Sequence, residues 1–417
     1  MNFNKALAQR VQSRILEYGS FITVLFIVSI YLSTSLAIFL SGLLGLFWLL
    51  SAQFMALPGT LKKNPVAAWS LFLFLCFIFG LCYSSATFGE AFAMLMKYRE
   101  LLFIPVLTSF LTTERYRCLA WKAVVIASVL ILLISFLMDI GILDTKMGGP
   151  SLKSRITHSI FISFFAFFCA HKACDGMRYA KLYWVLFILS IYNLFFIVEG
   201  RTGQLIAVLL ILLFGVQRFT KKALLLTVFL MAILFALFLT FSDKATRINE
   251  GLASTHAYLQ LHPEKTEASM GLRFTFWKYS LKLIAEKPLL GHGTGSFAKE
   301  YQRIAGNELS IIKNPQVPSN ELFITKNPHN EFFMISTQLG LLGLLIYLGF
   351  LTSQYVYAKK LPNKEKWLAQ GVLLSLIVTS LFNCPLMDHA EGHWFTTMIA
   401  LCFASLEVGV KAEINHA

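Results

Sequence analysis

Long uninterrupted apolar runs dominate the chain, in place of the alternating or 3.6-residue patterns that mark a water-soluble fold. They fall near residues 20–33, 36–56, 65–83, 98–113, 119–138, 158–174, 182–198, 202–217, 222–241, 330–356, 367–385 and 391–407. Several approach or exceed the ~20 residues that a helix needs to cross a bilayer, so the pattern predicts an all-α polytopic membrane protein of about twelve transmembrane helices. Only Ser33, Thr34 and Ser35 separate the first two runs, and merging them gives eleven. The first run follows Lys5, Arg10 and Arg14 as a signal peptide's would, yet it continues past residue 50 without a small-residue cleavage site and is expected to stay in the mature protein.

One polar insertion, residues 242–328, interrupts the succession of short connections and divides the chain into a bundle at 1–241, the loop, and a second set of about three helices at 329–417. Long loops in compact proteins usually carry function. Within it Leu272, Phe276, Tyr279 and Leu283 recur at helical spacing, with Arg273, Lys278 and Lys282 among them. That is the pattern of an amphipathic helix lying at the membrane interface; a helix that only lids the bundle is the plainer reading.

Composition agrees with the pattern. Of 417 residues 57% are hydrophobic and 14% charged, and the 39 Phe outnumber the 22 Asp and Glu, which excludes a soluble globular protein and a disordered nucleic-acid-binding tail. The net charge of +14 is explained by topology: Lys62/Lys63, Arg115/Arg117/Lys122, Lys172/Arg178/Lys181, Arg218/Lys221/Lys222 and Lys359/Lys360/Lys364/Lys366 all fall on one side when both termini are cytoplasmic. The opposite short connections carry few basic residues, so the long loop is expected in the periplasm. Cysteines 76, 82, 118, 169, 174, 384 and 402 lack the paired spacing of a disulfide framework or zinc site and read as small hydrophobes. No inverted repeat of the kind that marks many transporters is visible.

Against this background a few polar residues at the outer face stand out. Arg201, in Glu199-Gly200-Arg201-Thr202-Gly203, places a permanent charge at the membrane edge, which marks a functional candidate; an ion pair with Glu199 or snorkelling is the plain alternative. The flanking glycines favour close approach of a ligand. Arg273 is a second fixed charge on the same side, a solvated helix residue if taken alone; together two guanidiniums can clamp a diphosphate by forked hydrogen bonds. His329, in Asn327-Pro328-His329-Asn330-Glu331, precedes an apolar run and can accept a proton near neutral pH, or it caps that helix. Arg155 and His158 are secondary candidates for an anionic headgroup, or for a lipid-phosphate anchor. Asp388-His389-Ala390-Glu391-Gly392-His393 spaces two histidines four apart without the glutamate of a metalloprotease motif, so no metal is expected there. Gly291-His292-Gly293-Thr294-Gly295 follows no strand and reads as a flexible outer loop.

Gly200-Arg201-Thr202-Gly203, the loop Gly291-His292-Gly293-Thr294-Gly295-Ser296-Phe297, and His329-Asn330-Glu331-Phe332-Phe333 leading to Gln338-Leu339-Gly340-Leu341-Leu342-Gly343 together resemble the bacterial O-antigen ligase and polymerase superfamily. The motifs cover roughly residues 185–355. The resemblance implies a membrane glycosyltransferase with a GT-C-like bundle in the bacterial inner membrane. It acts on the periplasmic side on glycans carried by undecaprenyl diphosphate, without metal, nucleotide or other cofactor. Arg201 and Arg273 then resemble the family's diphosphate-binding arginines and His329 its essential histidine, with Asp388 and Arg155 matching more loosely. In the ligases the glycan passes to lipid A-core and completes lipopolysaccharide; for this chain His329 is expected to act as general base, with inversion at the anomeric carbon. O-antigen polymerases and protein O-oligosaccharyltransferases share the motifs, and a lipid or sugar transporter is the rival from another class; it calls for ionisable residues at mid-membrane, whereas here the charges gather at one rim.

Overall fold

The computed structural model describes residues 2–145, 149–176, 178–198, 200–225, 227–229, 233, 269–309 and 325–406. Every regular element among them is a helix: α1 Asn2–Leu32, α2 Thr34–Leu50, α3 Leu57–Lys63, α4 Pro65–Phe79, α5 Phe88–Tyr98, α6 Phe103–Phe110, α7 Glu114–Asp139, α8 Arg155–Cys174, α9 Ala180–Tyr192, α10 Arg201–Arg218, α11 Ser269–Glu286, α12 Phe297–Leu309, α13 Glu331–Ala358, α14 Asn363–Phe382 and α15 His389–Phe403. Seven are long and apolar enough to cross a membrane, eight if α3 and α4, which meet at 116°, form one broken span. This is a multi-pass helical membrane protein.

The expected runs map onto these helices with physical exceptions. Ser33 does divide the first two, accepting a hydrogen bond from the Leu36 N–H as the N-cap of α2. The run at 36–56 stops at Leu50, because Ala52 turns the chain with φ 55°. The run at 98–113 is not one span: a 3₁₀ turn, Arg99–Leu102, separates α5 from α6 and draws Glu100 into the interior. Most of the run at 222–241, together with Lys146, Glu199 and the insertion's residues 242–268 and 310–324, lies outside the described residues.

α8 is the central helix, packed on α7, α9, α10 and α14 and buried along nearly its whole length. α9 is its opposite. It buries only Ser190 and turns Leu182, Trp184, Val185, Ile188 and Leu189 outward, the all-round apolar surface that suits lipid.

Above the bundle, α11 and α12 form a separate apolar cluster of Phe276, Tyr279, Leu283, Phe297, Tyr301, Ile304 and Ala305, closed by Met334 and Cys384. The amphipathic face of α11 is therefore spent on protein, and the helix is a lid packed on the start of α13, not a helix floating in the interface. The side chain of Leu272 lies outside the described residues.

The glycine-rich loop is no flexible excursion. Gly291, Gly293 and Gly295 take positive φ of 67°, 91° and 81°, and a Cβ on any of them would strike backbone of α13, of the 84 turn or of α5. α13 opens at Gly340, with φ 62° and ψ −158°, to receive the loop. His292 and Gly293 donate their N–H groups to Thr337 and Gln338 carbonyls at 2.9 and 2.8 Å, and Thr294 N–H donates to Gly80 at 3.0 Å. The loop thus stitches the lid to α4 and α13, which is why its backbone polar groups can be buried at all.

Candidate active site

Five helix ends meet beneath the lid: the N-termini of α8, α10, α13 and α15 and the C-terminus of α14. α10 begins against α8 because Gly200 and Gly203 leave room for it. A Cβ on Gly203 would sit 2.7 Å from the Ser159 carbonyl carbon, one on Gly200 2.9 Å from the Arg155 oxygen, and Ser163 donates across to the Gly203 carbonyl at 2.8 Å. These glycines serve helix packing rather than ligand approach.

Arg201 is the first residue of α10 and half-buried. Arg273, also half-buried, projects from α11 within electrostatic reach of it. Burial, and after it the positive charge of Arg201, press the Arg273 pKa below the ordinary guanidinium value. His329 completes the group. Its pKa is lowered by burial first and then by the Arg273 charge, with a hydrogen bond to Asn383 working the other way. Three residues far apart in sequence are thereby brought into one electrostatic unit.

His329 is held from several sides. It adopts φ 53°, a left-handed backbone uncommon outside glycine, fixed by its N–H donating to Asn327 Oδ1 at 2.7 Å. Its ring lies over Phe276 with centroids 6.2 Å apart, and Trp277 Nε1 donates to the Pro328 carbonyl at 3.0 Å. The helix cap next to it is Asn330, whose Oδ1 accepts from Phe333 N–H at 3.1 Å, so His329 is free of capping duty. Nδ1 is buried with no hydrogen-bond partner among the described residues. The bond with Asn383 favours the protonated ring.

Two members of this arrangement have no signature in the sequence. Asn383 Nδ2 donates to Glu391 Oε2 at 3.1 Å, and Thr157 Oγ1 donates to Glu391 Oε1 at 3.1 Å, linking the ends of α14, α15 and α8. Glu391 resembles an ordinary first-turn acid, and only the fold shows that it is buried. Glu331 is likewise buried, accepting from Tyr98 Oη at 2.8 Å and Leu386 N–H at 3.1 Å.

The secondary candidates have other positions. Arg155 opens α8 at the α8–α10 junction, half-buried. His158 is fully buried, its Nε2 3.0 Å from Asn193 Oδ1 in a network running to Ser135, so it braces α8 against α7 and faces no headgroup. Asp388 is exposed and caps α15, accepting from Ala390 and Glu391 N–H groups at 2.9 and 3.1 Å. The histidine pair does meet an acid, Glu100, at 2.8 Å from His389 Nδ1 and 2.9 Å from His393 Nδ1. Yet His393 Nδ1 also lies 2.6 Å from the His389 carbonyl, which can only accept. That nitrogen carries its proton and is a hydrogen-bond donor, not a metal ligand.

Residues 185–348, a segment that holds Arg201, Arg273 and His329, match a family model described as O-antigen ligase. A protein of Rickettsia bellii named "Putative polysaccharide ligase" is 32% identical over 126 residues, 30% of this chain and 27% of its own. One of the same name from Rickettsia conorii is 29% identical over 100 residues, 24% and 22% of the two chains. An uncharacterized protein of Haemophilus influenzae is 25% identical over 206 residues, 46% and 48%. The matched part spans about a quarter of the length of the rickettsial relatives.

Proposed function

We propose that the chain is a membrane glycosyltransferase that moves an O-antigen glycan from undecaprenyl diphosphate to a sugar hydroxyl of lipid A-core on the periplasmic side of the bacterial inner membrane, with both termini cytoplasmic. The observation that carries this reading is the coupling of Arg201 to Arg273 and of Arg273 to His329 within the O-antigen ligase segment. The name of the rickettsial relatives favours a ligase over the polymerase and protein-glycosylating activities that share the motifs.

The donor's diphosphate is already a good leaving group. The enzyme has to position the acceptor, take its proton and stabilise charge on the departing phosphate. Arg201 and Arg273 hold the diphosphate, helped by the positive ends of α8 and α10. The acceptor oxygen attacks the anomeric carbon from the face opposite the diphosphate and inverts it. The C1–O bond breaks with its electron pair going to the diphosphate oxygen, and the hydroxyl proton passes to the His329 imidazole. A positive neighbour keeps His329 neutral before the reaction, while the Asn383 hydrogen bond favours the imidazolium as it forms.

The test is transfer in detergent from a lipid-linked donor to lipid A-core by His329→Ala protein. The base role predicts a loss of about 10²–10⁴-fold with donor binding retained; near-normal turnover removes the assignment. In cells, loss of the protein is expected to leave long O-chains on the carrier; single-repeat chains on lipopolysaccharide would instead identify a polymerase.

A further inference from the structure

A second cluster of ligand-type side chains lies at the far end of α11. Its donors are Glu286, the last residue of that helix, His292 in the glycine-rich loop, and Glu300 in the first turn of α12, with one donor atom from each lying within 4.8 Å of the others. Glu286 is 13 residues from Arg273 on one helix, roughly 20 Å at the helical rise, so this is not the diphosphate site.

His292 is 1% exposed and its Nε2 is 3.0 Å from the Leu283 carbonyl, which can only accept, so Nε2 is committed as a donor. Nδ1 is the ring's remaining nitrogen. It is buried, has no hydrogen-bond partner among the described residues, and points at Glu300 Oε2 from 3.7 Å. In the Glu100 cluster, by contrast, the nitrogen nearest the acid is committed to a backbone carbonyl.

Arg303 reaches both carboxylates, its Nε 2.7 Å from Glu300 Oε2 and its Nη2 bonded to Glu286. One guanidinium thus serves two carboxylates beside His292 Nδ1.

We propose that Glu286, His292 and Glu300 bind a divalent first-row metal ion, zinc foremost, which pins the lid to the glycine-rich loop. A metal about 2.0–2.2 Å from each donor bridges the 3.7 Å between Nδ1 and Oε2 without moving either, and Glu286, 43% exposed, closes by a side-chain adjustment. The surroundings are those of a metal ligand set: the imidazole donates its other N–H to a backbone carbonyl, and Arg303 hydrogen-bonds the ligating carboxylates. One imidazole with two carboxylates suits zinc or manganese over calcium. The role is structural and is independent of the proposed transferase chemistry.

The experiment is metal analysis of the full-length protein purified in detergent, before and after chelation, followed by titration with zinc, manganese or calcium chloride and thermal unfolding. About one equivalent of tightly held zinc or manganese is expected, with a lower unfolding temperature after chelation that the metal restores. Glu286→Gln, an exposed substitution that leaves the core intact, should weaken binding by about 10–100-fold. Less than a tenth of an equivalent bound with no thermal response overturns the proposal, as does calcium binding in preference to zinc or affinity unchanged in Glu286→Gln.

Discussion

Gly203→Ala tests whether the active end of the bundle is set by contact between α8 and α10. The added Cβ meets the Ser159 carbonyl carbon at 2.7 Å as well as that residue's side chain. Ordinary carbon contacts begin near 3.5 Å, so the two helices must separate by about 0.8 Å. A rotamer change cannot absorb this, because the obstacle is backbone. Overpacking of this kind costs about 1–3 kcal/mol. Separation also displaces Arg201, two residues earlier on the same helix, relative to Arg273, and a misplacement near 1 Å costs about 10²-fold in rate. Thermal unfolding in detergent and single-turnover transfer measure the two effects. Replacing Ser159 by Gly in the same protein should recover only part of the loss, since the carbonyl carbon remains. A Gly203→Ala protein with the unfolding temperature and the rate of the parent refutes the reasoning.

Arg201→Ala and Arg273→Ala each remove a charge-assisted contact worth about 1.5–3 kcal/mol and should raise the Kd for undecaprenyl diphosphate by roughly 10- to 150-fold, measured by calorimetry; unchanged affinity in either excludes that arginine from the clamp. The rate should be high at neutral pH and fall as pH drops through the His329 pKa, which lies below its ordinary value because of burial and the Arg273 charge. Arg273→Gln removes that charge, so the acid limb of the pH–rate profile should move to higher pH; a limb that stays or moves lower contradicts the coupling. Asn383→Ala takes one of two hydrogen bonds from buried Glu391, and should cost about 1–3 kcal/mol of stability in chemical unfolding; a variant as stable as its parent shows that the Asn383–Glu391 bond is not formed.

The apolar runs were legible because a lipid-spanning helix needs length and hydrophobicity, both local properties. What was not legible depends on neighbours. The run at 98–113 looks like one span until Glu100 is seen turned inward to His389 and His393. Fixed charges at the membrane edge are conspicuous in any sequence, so Arg201, Arg273 and His329 could be singled out. Asn383 and Glu391 are common residues at helix ends, and their pairing spans contacts that no spacing encodes. The glycine-rich loop reads from sequence as a flexible excursion, because its burial depends on the break at Gly340, a residue that sits in an unremarkable apolar run.

Buried carboxylates bear on the transporter rival. Glu100, Glu331 and Glu391 are each 1% exposed or less, and a relay across the bilayer would use such groups at mid-span. Here all three sit where helices begin or break: Glu331 opens α13, Glu391 lies in the first turn of α15, and Glu100 is in the 3₁₀ turn before α6. Each is tied to more than one neighbour. Glu331 joins Tyr98 to the 386 backbone, Glu391 joins Thr157 to Asn383, and Glu100 joins His389 to His393. Contacts of this kind fix helix ends relative to one another. Because those ends carry His329 and Asn383, and through Thr157 reach the helix against which Arg201 packs, the acids act as the rigid support that the proposed transfer site requires.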